Sequence, residues 1–530
     1  MWPWILGCTW AIALLVNVWC QVDPRWGAGF RTALIYIGVF FIGLVTWLWL
    51  VLGSSVSRKI RIGVVVGSVL GLAALLGSLR LEEVTGGLIP KFRFVWQKPK
   101  DTLLEQLESG ASDVPEGIDL VSVTTHDFPQ FLGPNRDLNL PNVELNPDWN
   151  LHPPEEIWRK PIGAGWSAFA AVNGFAVTME QRADAELTTC YSIETGEIVW
   201  SNASSTRHHT VMGGAGPRST PLIYNGFVYT VGATGVFRCL DGRNGQERWS
   251  RNLLAEYGIS QEADDLKGVA WGRSCSPLAV GNRIVVAVGG PAGRDKASLL
   301  AVDHETGETI WQQGNYQVSY ASPVLATLLD RQVILHLAED RLVIHDAESG
   351  EALCEYPWPG NSAANASASQ PVAISGNHVF LSKGYGHGSS LISISQSNGQ
   401  WQADEVWHEA RYMKTKFTNV VRSGDYIYGL DDIRLECLRW ESGELAWKGR
   451  NRYGYGQILR VGSHLLVMAE SGELALVELT PDTFKEIGRI PALNGKTWNN
   501  LCLFGDRLLV RNAEEAACYR LHLVDSPVGL

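Results

Sequence analysis

The sequence predicts an all-β, eight-bladed propeller preceded by three transmembrane α-helices. A turn closed by Gly and followed four residues later by Trp recurs along the chain, and short β-branched segments separated by Gly or Asn turns lie between the copies. Three apolar runs occupy the first 80 residues. The chain has 530 residues, of which 19% are charged. That low share indicates that part of the chain avoids water.

The apolar runs span residues 2–19, 33–52 and 62–79. Each is close to the ~17–25 residues that cross a bilayer as a helix. We expect a membrane anchor over 1–80 and a linker or stalk over 81–126. A cleaved signal peptide is the alternative for the first run, which lacks a basic start and a small-residue cleavage site.

Basic residues predict the orientation of this anchor. Arg58, Lys59 and Arg61 lie between the second and third runs, and the positive-inside rule places such a loop in the cytoplasm. The C-terminal bulk then lies outside the cytoplasm, although Arg25, Arg31 and Arg80 fall on the outer side as well.

Charge is unevenly distributed between the anchor and the rest of the chain. The first 100 residues hold ten Lys or Arg and three Asp or Glu, so within a net charge of −11 the remainder carries −18. Nucleic-acid binding needs Lys and Arg to neutralise phosphates. The sequence therefore predicts no nucleic-acid partner.

The repeat supplies the blade count. Close copies of the turn span 190–200, 239–249, 301–311 and 437–447, and the turn glycines are spaced by 43 to 62 residues. Such a period is typical of propeller blades, each a four-stranded antiparallel sheet. We expect the innermost strand of each blade to start near Ser167, Ser219, Ser274, Tyr320, Ser369, Thr418, Gln457 and Asn499.

The eighth unit stops after its third strand, and a spare strand at 156–161 precedes the first unit. Using that strand as the outer strand of blade eight would close the ring and remove open sheet edges. The repeated tryptophans are predicted to be structural and to lie over the turn of the neighbouring blade. They are Trp158, Trp200, Trp249, Trp311 and Trp447.

Cations, amides and aromatics stand where the inner strands begin, and on a propeller these positions converge around the axis. We expect a ligand site at this channel mouth for a polar or anionic molecule, with the alternative that the cations bridge blade carbonyls. Its candidate residues are Arg218, Arg273, Tyr320, Gln370, Lys416, Asn419, Tyr455, Gln457, Trp498 and Asn499.

No residue pattern predicts catalysis or a metal site. His208, His209 and His387 have no partner at metal-ligand spacing, and hydrolase and nucleotide-binding motifs are absent from the sequence. Asp431 and Asp432 fall in a turn, where solvated carboxylates are expected.

The motif Ala/Cys-x-Asp-x-x-Thr-Gly-x-x-x-Trp, best seen at 301–311, resembles that of the pyrroloquinoline-quinone-like (PQQ-like) family of eight-bladed propellers. This family includes quinoprotein alcohol dehydrogenases and the lipoprotein propeller of the outer-membrane assembly machinery. The runs DFPQFLGPNRD at 127–137, GPRSTP at 216–221, WGRS at 271–274 and GYGHG at 384–388 resemble a membrane-anchored bacterial subgroup of the planctomycete type. The resemblance covers 127–530. Together with the three apolar runs and the basic loop, it predicts a multi-pass protein of the bacterial inner membrane with its propeller in the periplasm.

For the dehydrogenases of this family the resemblance implies PQQ held between a channel Trp and a disulfide of adjacent cysteines, with Ca²⁺ bound by Glu, Asn and Asp. This sequence has no adjacent cysteines and no matching carboxylate-Asn set. Our first hypothesis is therefore a non-catalytic binding or scaffold module. It would contact lipid through its helices and a protein or small polar ligand at the propeller face. The alternative is a membrane-bound, PQQ-dependent quinoprotein oxidoreductase of alcohols or sugars.

Overall fold

The computed structural model describes residues 28–53, 56–107, 117–259, 262–289, 297–360 and 366–524, with positions 7, 9–11, 14–16, 18 and 109. The chain divides into two compact units. The first unit comprises residues 1–99 with 211–214, and the second comprises 100–210 with 215–530.

The first unit contains two long apolar helices, α1 (Ala28–Leu48) and α2 (Arg58–Ser78), with a π-helical turn at Trp49–Gly53 between them. By length and composition Gly29–Gly53 and Arg58–Ser78 could each cross a membrane, and neither is buried. The expectation of three such helices is therefore corrected to two for the part of the chain that the structure describes. The first predicted run, 2–19, lies largely outside the described residues.

A two-stranded hairpin completes this unit and follows α2 without a break. Strand β1 (Leu79–Val84) pairs antiparallel with β2 (Pro90–Phe94). The Val95 N–H donates to the Ser78 carbonyl at 2.9 Å, which ties the end of the hairpin to the end of α2.

The second unit is an all-β propeller of eight antiparallel sheets, as the repeat predicts. Two short helices, α3 (Leu253–Glu256) and α4 (Glu262–Asp265), and a 3₁₀ turn at Lys100–Leu103 accompany the sheets. The strands of blades one to four are β5 Ala170–Val172, β6 Phe175–Arg182, β7 Ala185–Ser192, β8 Ile198–Ser204; β11 Leu222–Tyr224, β12 Phe227–Val231, β13 Val236–Asp241, β14 Glu247–Asn252; β15 Leu278–Val280, β16 Arg283–Gly289, β17 Ala297–Asp303, β18 Thr309–Gln313; β19 Val324–Leu328, β20 Arg331–Leu337, β21 Arg341–Asp346, β22 Ala352–Pro357.

The strands of blades five to seven are β23 Val372–Ile374, β24 His378–Lys383, β25 Gly388–Ser397, β26 Gln400–Glu409; β27 Val421–Ser423, β28 Tyr426–Asp431, β29 Arg434–Arg439, β30 Leu445–Lys448; β31 Gln457–Val461, β32 His464–Met468, β33 Glu473–Glu478, β34 Glu486–Pro491. Blade eight contains β35 Cys502–Phe504, β36 Arg507–Arg511, β37 Glu515–Arg520 and β4 Glu155–Pro161. The remaining short strands are β3 Asn139–Leu140, β9 His209–Thr210 and β10 Gly214–Ala215.

The ring is closed by the N-terminal strand. Strand β4 pairs antiparallel with β37 and places Trp158 opposite Cys518, so blade eight has the order β35-β36-β37-β4. The prediction that a strand near 156–161 completes the eighth blade is confirmed. The first strand of each blade is innermost, since β5 lies next to β35 and β11, and β15 lies next to β11 and β19.

Tryptophans on the fourth strands join neighbouring blades. Trp200 of β8 donates from Nε1 to the Gly242 carbonyl at 2.9 Å, and its ring covers Gly245 in the turn of blade two. The other predicted tryptophans lie over the next turn in the same way, beside Gly196 (Trp158), Gly307 (Trp249), Gly350 (Trp311) and Thr480 (Trp447).

Blades four and seven lack this tryptophan and have Cys354 and Gly488 at the corresponding register. In blade seven the space is filled from outside the repeat, because Trp149 packs its ring on Gly488. The repeat is therefore completed by a residue of the N-terminal extension.

Residues 127–140 cover the end of the propeller at which the first strands end. Phe128 bridges to Ala171, the Ile223 N–H donates to the Pro129 carbonyl at 2.8 Å, and β3 pairs in parallel with β31. Arg136 is 4% exposed and donates to the Pro277 carbonyl at 2.6 Å. This segment, called the plug here, contains the whole DFPQFLGPNRD run.

The region predicted as a linker, 81–126, contains the rest of the hairpin and the 3₁₀ turn. Ile118 and Leu120 in it are buried between the first two blades. The division into anchor, linker and propeller stays a prediction.

Candidate functional site: an aromatic and lysine cluster at the propeller axis

A belt of hydrogen bonds circles the axis just inside the starts of the first strands. The Thr220 hydroxyl accepts from the Ala168 N–H at 3.1 Å, and Ser276 accepts from the Thr220 N–H at 2.9 Å. Ser322 accepts from the Ser276 N–H in turn at 2.8 Å. Each bond joins one blade to the next, so these side chains are ties between blades.

Four of the predicted site residues are buried amides that belong to this belt. Asn419 accepts from the Gln370 N–H at 2.8 Å. Gln457 donates to the Phe417 and Trp498 carbonyls, and Asn499 donates to the Ser167 carbonyl at 2.8 Å. Because they are 4% exposed or less, they hold blades together and present little surface to a ligand.

One or two residues before the belt, aromatic side chains from blades one, six, seven and eight come together. The Trp166 and Trp498 ring centroids are 4.8 Å apart at 42°. Phe417 lies 4.7 Å from Trp498 and 5.8 Å from Tyr455. We call these four rings the aromatic cluster. Tyr455 is buried, whereas the other three rings are partly exposed.

Two lysines place their ammonium groups over these rings. Lys496 Nζ is 4.2 Å from the Trp498 centroid and 4.8 Å from that of Trp166. Lys416 Nζ is 4.0 Å from the Tyr455 centroid and 5.4 Å from that of Tyr385. Such cation–π contacts contribute about 0.5–2 kcal/mol each, with the larger values where water is excluded. Burial lowers the pKa of Lys416.

Acidic groups lie beneath the cluster. Glu470 accepts from Trp498 Nε1 at 2.9 Å and from the Tyr455 N–H at 3.3 Å. Burial and the neighbouring Asp431 charge raise the pKa of Asp432, and the charges of Asp432 and Glu470 favour the protonated form of Lys416. The site therefore combines flat apolar faces with fixed positive charge, supported from below by carboxylates.

The structure brings Lys416, Tyr455 and Trp498 together and leaves three other predicted residues outside this cluster. Arg273 is 4% exposed and forms a two-pronged ion pair with Asp265, at 2.8 and 3.1 Å. The Tyr320 ring lies 5.0 Å from that of Trp271. Arg218 is partly exposed and donates to the Gly216 carbonyl.

Sequence reasoning missed Trp166, Phe417, Lys496 and Glu470. A signal for Trp166 was present, because it stands two residues before a belt position, as Tyr455 stands before Gln457. Glu470 comes from the segment after β32, so the packing of blade seven against blade eight brings it under Trp498.

The prediction for Asp431 is wrong. This carboxylate is 3% exposed and contacts Lys414 Nζ at 2.7 Å and Lys448 Nζ at 2.5 Å. Lys448 Nζ also contacts Glu436 at 2.6 Å. Burial and the Asp431 charge raise the pKa of Glu436 to about 7. The acids are buried because two neighbouring segments each supply a lysine, a pairing that turn residues alone do not reveal.

At the axis, the rings of Trp166 and Trp498 leave no slot for a planar cofactor between them. A planar group between two rings needs about 7 Å, twice a ~3.5 Å carbon contact, whereas Trp166 and Trp498 are 4.8 Å apart. Within the described ranges, no group of three His, Cys, Asp or Glu is placed to hold a metal ion. The described cysteines are free thiols, and burial raises the pKa of Cys275 and of Cys437 to about 12.

Comparison with known proteins points to one family. The family described as outer membrane protein assembly factor BamB matches residues 153–260 and 183–449. BamB of Alkalilimnicola ehrlichii is 26% identical over 229 residues, which are 39% of this chain and 52% of that protein. The chain thus spans about half the length of the curated relative it matches.

Two solved structures are similar at low identity. BamB from Moraxella catarrhalis is 15% identical, with a TM-score of 0.46 over 69% of this chain and 99% of that one. A quinohemoprotein alcohol dehydrogenase from Comamonas testosteroni is 11% identical, with a TM-score of 0.42 over 74% and 80% of the two chains.

Proposed function

This chain belongs to the PQQ-like β-propeller family, and from that premise we propose that it is a non-catalytic binding module tethered to the bacterial inner membrane. Its propeller lies on the periplasmic side, and its aromatic cluster binds a protein segment or a small polar ligand. The observation that carries the proposal is the pair of lysines whose ammonium groups lie over the aromatic rings of Tyr455 and Trp498 at the axis.

The chemistry of the cluster supports an occupant with both an apolar and an anionic part. The rings offer a flat apolar surface to a ligand and lose little conformational entropy on binding. The ammonium groups lie beside these apolar rings, where the attraction for an anion is stronger than in bulk water. Trp498 is held through Glu470, so its face is oriented before a ligand arrives. An acidic side chain next to an aromatic one fits this arrangement.

The match to an outer-membrane assembly factor supports a protein-binding role. The tether is supported by two apolar helices and by the basic residues Arg58, Lys59 and Arg61 in the first turn of α2. An inner-membrane, multi-pass topology follows from placing the start of α2 in the cytoplasm.

The proposal is tested by titrating the purified full chain with an acetylated peptide of alternating Glu and Phe. We expect Lys416→Met with Lys496→Met to weaken binding about tenfold, which corresponds to about 1.4 kcal/mol. Lys485→Met is the matched control, because Lys485 is exposed and pairs with Glu478 on a blade surface. Equal affinity in all three proteins, or no binding to the unmodified chain, contradicts the proposed site.

A second assay addresses the oxidoreductase alternative. The full chain supplied with PQQ and Ca²⁺ is mixed with alcohols or sugars and an artificial electron acceptor. We expect no saturable reduction of the acceptor, because the sequence has no adjacent cysteines and no carboxylate-Asn set that matches the one implied for the dehydrogenases. Saturable reduction that depends on PQQ overturns the non-catalytic proposal.

A further inference from the structure

The hairpin that follows α2 has one apolar and one charged face. Leu79 lies opposite Phe94, and Leu81 lies opposite Phe92, so these four side chains share one face of the two-stranded sheet. Phe92 is 55% exposed. Trp96 stacks on Phe94 at 4.7 Å and is 70% exposed, which extends the same apolar surface.

The opposite face carries ion pairs. Arg80 lies opposite Arg93, and Lys91 lies opposite Glu83. Lys91 pairs with Glu83 at 3.2 Å, and Arg93 pairs with Glu82 at 3.1 Å. With Lys98, residues 79–98 contain four basic and two acidic side chains. The segment is therefore amphipathic and carries net positive charge.

The position of the hairpin is set by the helices of the same unit. Strand β1 begins at Leu79, directly after the last residue of α2. The turn of the hairpin reaches the start of α1, where a Cβ on Gly29 would lie 3.3 Å from the Leu88 side chain. The start of α1 and the end of α2 lie at the same end of the helix pair, so the hairpin lies where both helices reach one membrane surface.

We infer that this hairpin docks on the bilayer that holds its own helices, with Leu81, Phe92, Phe94 and Trp96 in the boundary between headgroups and acyl chains. Tryptophan and other aromatics favour that depth, while Arg and Lys reach anionic headgroups. Continuity with both helix ends selects lipid as the occupant. The inference rests on the proposed membrane tether and adds a second, interfacial contact to it.

The test uses the full chain reconstituted in vesicles of phosphatidylethanolamine and phosphatidylglycerol. A benzophenone amino acid replaces Phe92 or Trp96, and the cross-linked products are weighed by mass spectrometry. Val123, an exposed apolar residue of the other unit at 73% exposure, is the matched control. Phe40, in the middle of α1, reports on the tether itself.

We expect lipid adducts from positions 92, 96 and 40 and none from position 123. Adducts between two copies of the chain at 92 or 96 overturn the inference and indicate self-association through this face. Lipid adducts at 40 without any at 92 and 96 overturn the docking hairpin but leave the tether intact. No lipid adduct at 40 contradicts the tether as well.

Discussion

At the scale of single residues, burial decides what an ionisable side chain does in this propeller. Lys416 and Lys496 keep partial access to solvent above aromatic rings, whereas Lys414 is buried against Asp431. His336 and His345 lie inside blade four with ring centroids 6.1 Å apart and are both buried. Burial lowers the pKa of His336 to about 3. His336 is thus neutral in the folded chain at physiological pH.

This neutral histidine predicts an acid-sensitive blade. His336 is protonated near pH 6.5 in the unfolded chain and only near pH 3 in the folded chain. The free energy of unfolding is therefore at its full value above about pH 7 and falls as the pH drops toward 3. The loss between pH 7 and 5 is about 2 kcal/mol. Denaturant unfolding of the propeller at several pH values measures it.

His336→Leu is the informative variant, because it replaces the titrating imidazole with an apolar side chain of similar size. We expect the dependence on pH between 7 and 5 to become shallower. An unchanged slope in His336→Leu contradicts the assignment.

At the scale of elements, six of the eight blades place a fourth-strand tryptophan over the turn of the next blade. Gly245 adopts φ +71° beneath Trp200, and a Cβ there would lie 2.4 Å from the indole ring. Gly399 adopts φ +81° in the turn of blade five, where a Cβ would meet nothing within 4 Å. The two glycines share a left-handed backbone conformation but differ in packing.

These glycines separate backbone strain from packing. Gly399→Ala should cost about 1–2 kcal/mol, the usual penalty of a left-handed conformation. Gly245→Ala should cost about 3 kcal/mol or more, since Trp200 must also move. Unfolding free energies of the two variants give the comparison. Equal losses would show that the Trp200 contact does not hold the blades together.

The propeller was predictable from sequence because its signal is local and repeated. The turn glycines and tryptophans mark each blade within a few residues, and the missing fourth strand of blade eight indicated the role of β4. Trp149 on Gly488 was not predictable, because a residue outside the repeat fills a gap in it. The site was predictable only in part, since burial separates Lys416 and Trp498 from Gln370 and Asn499, and burial depends on the closed ring.

At the scale of the whole propeller, the two ends of the axis differ. The plug covers the end where the first strands finish, and Arg136 reaches inward from it to the Pro277 carbonyl. Burial lowers the pKa of Arg136 to about 9. The opposite end carries the aromatic cluster and both lysines, with the belt of blade ties beneath them. A ligand therefore has its best-formed surface at the strand-start end.

Cross-linking in the native cells tests this account most directly. A benzophenone amino acid at position 496 is activated by light, with position 485 on a blade surface as the control. We predict one defined adduct from position 496, lost when Trp498→Ala is added, and none from position 485. An adduct at 496 that survives Trp498→Ala, or adducts from 485 alone, would contradict binding at the aromatic cluster.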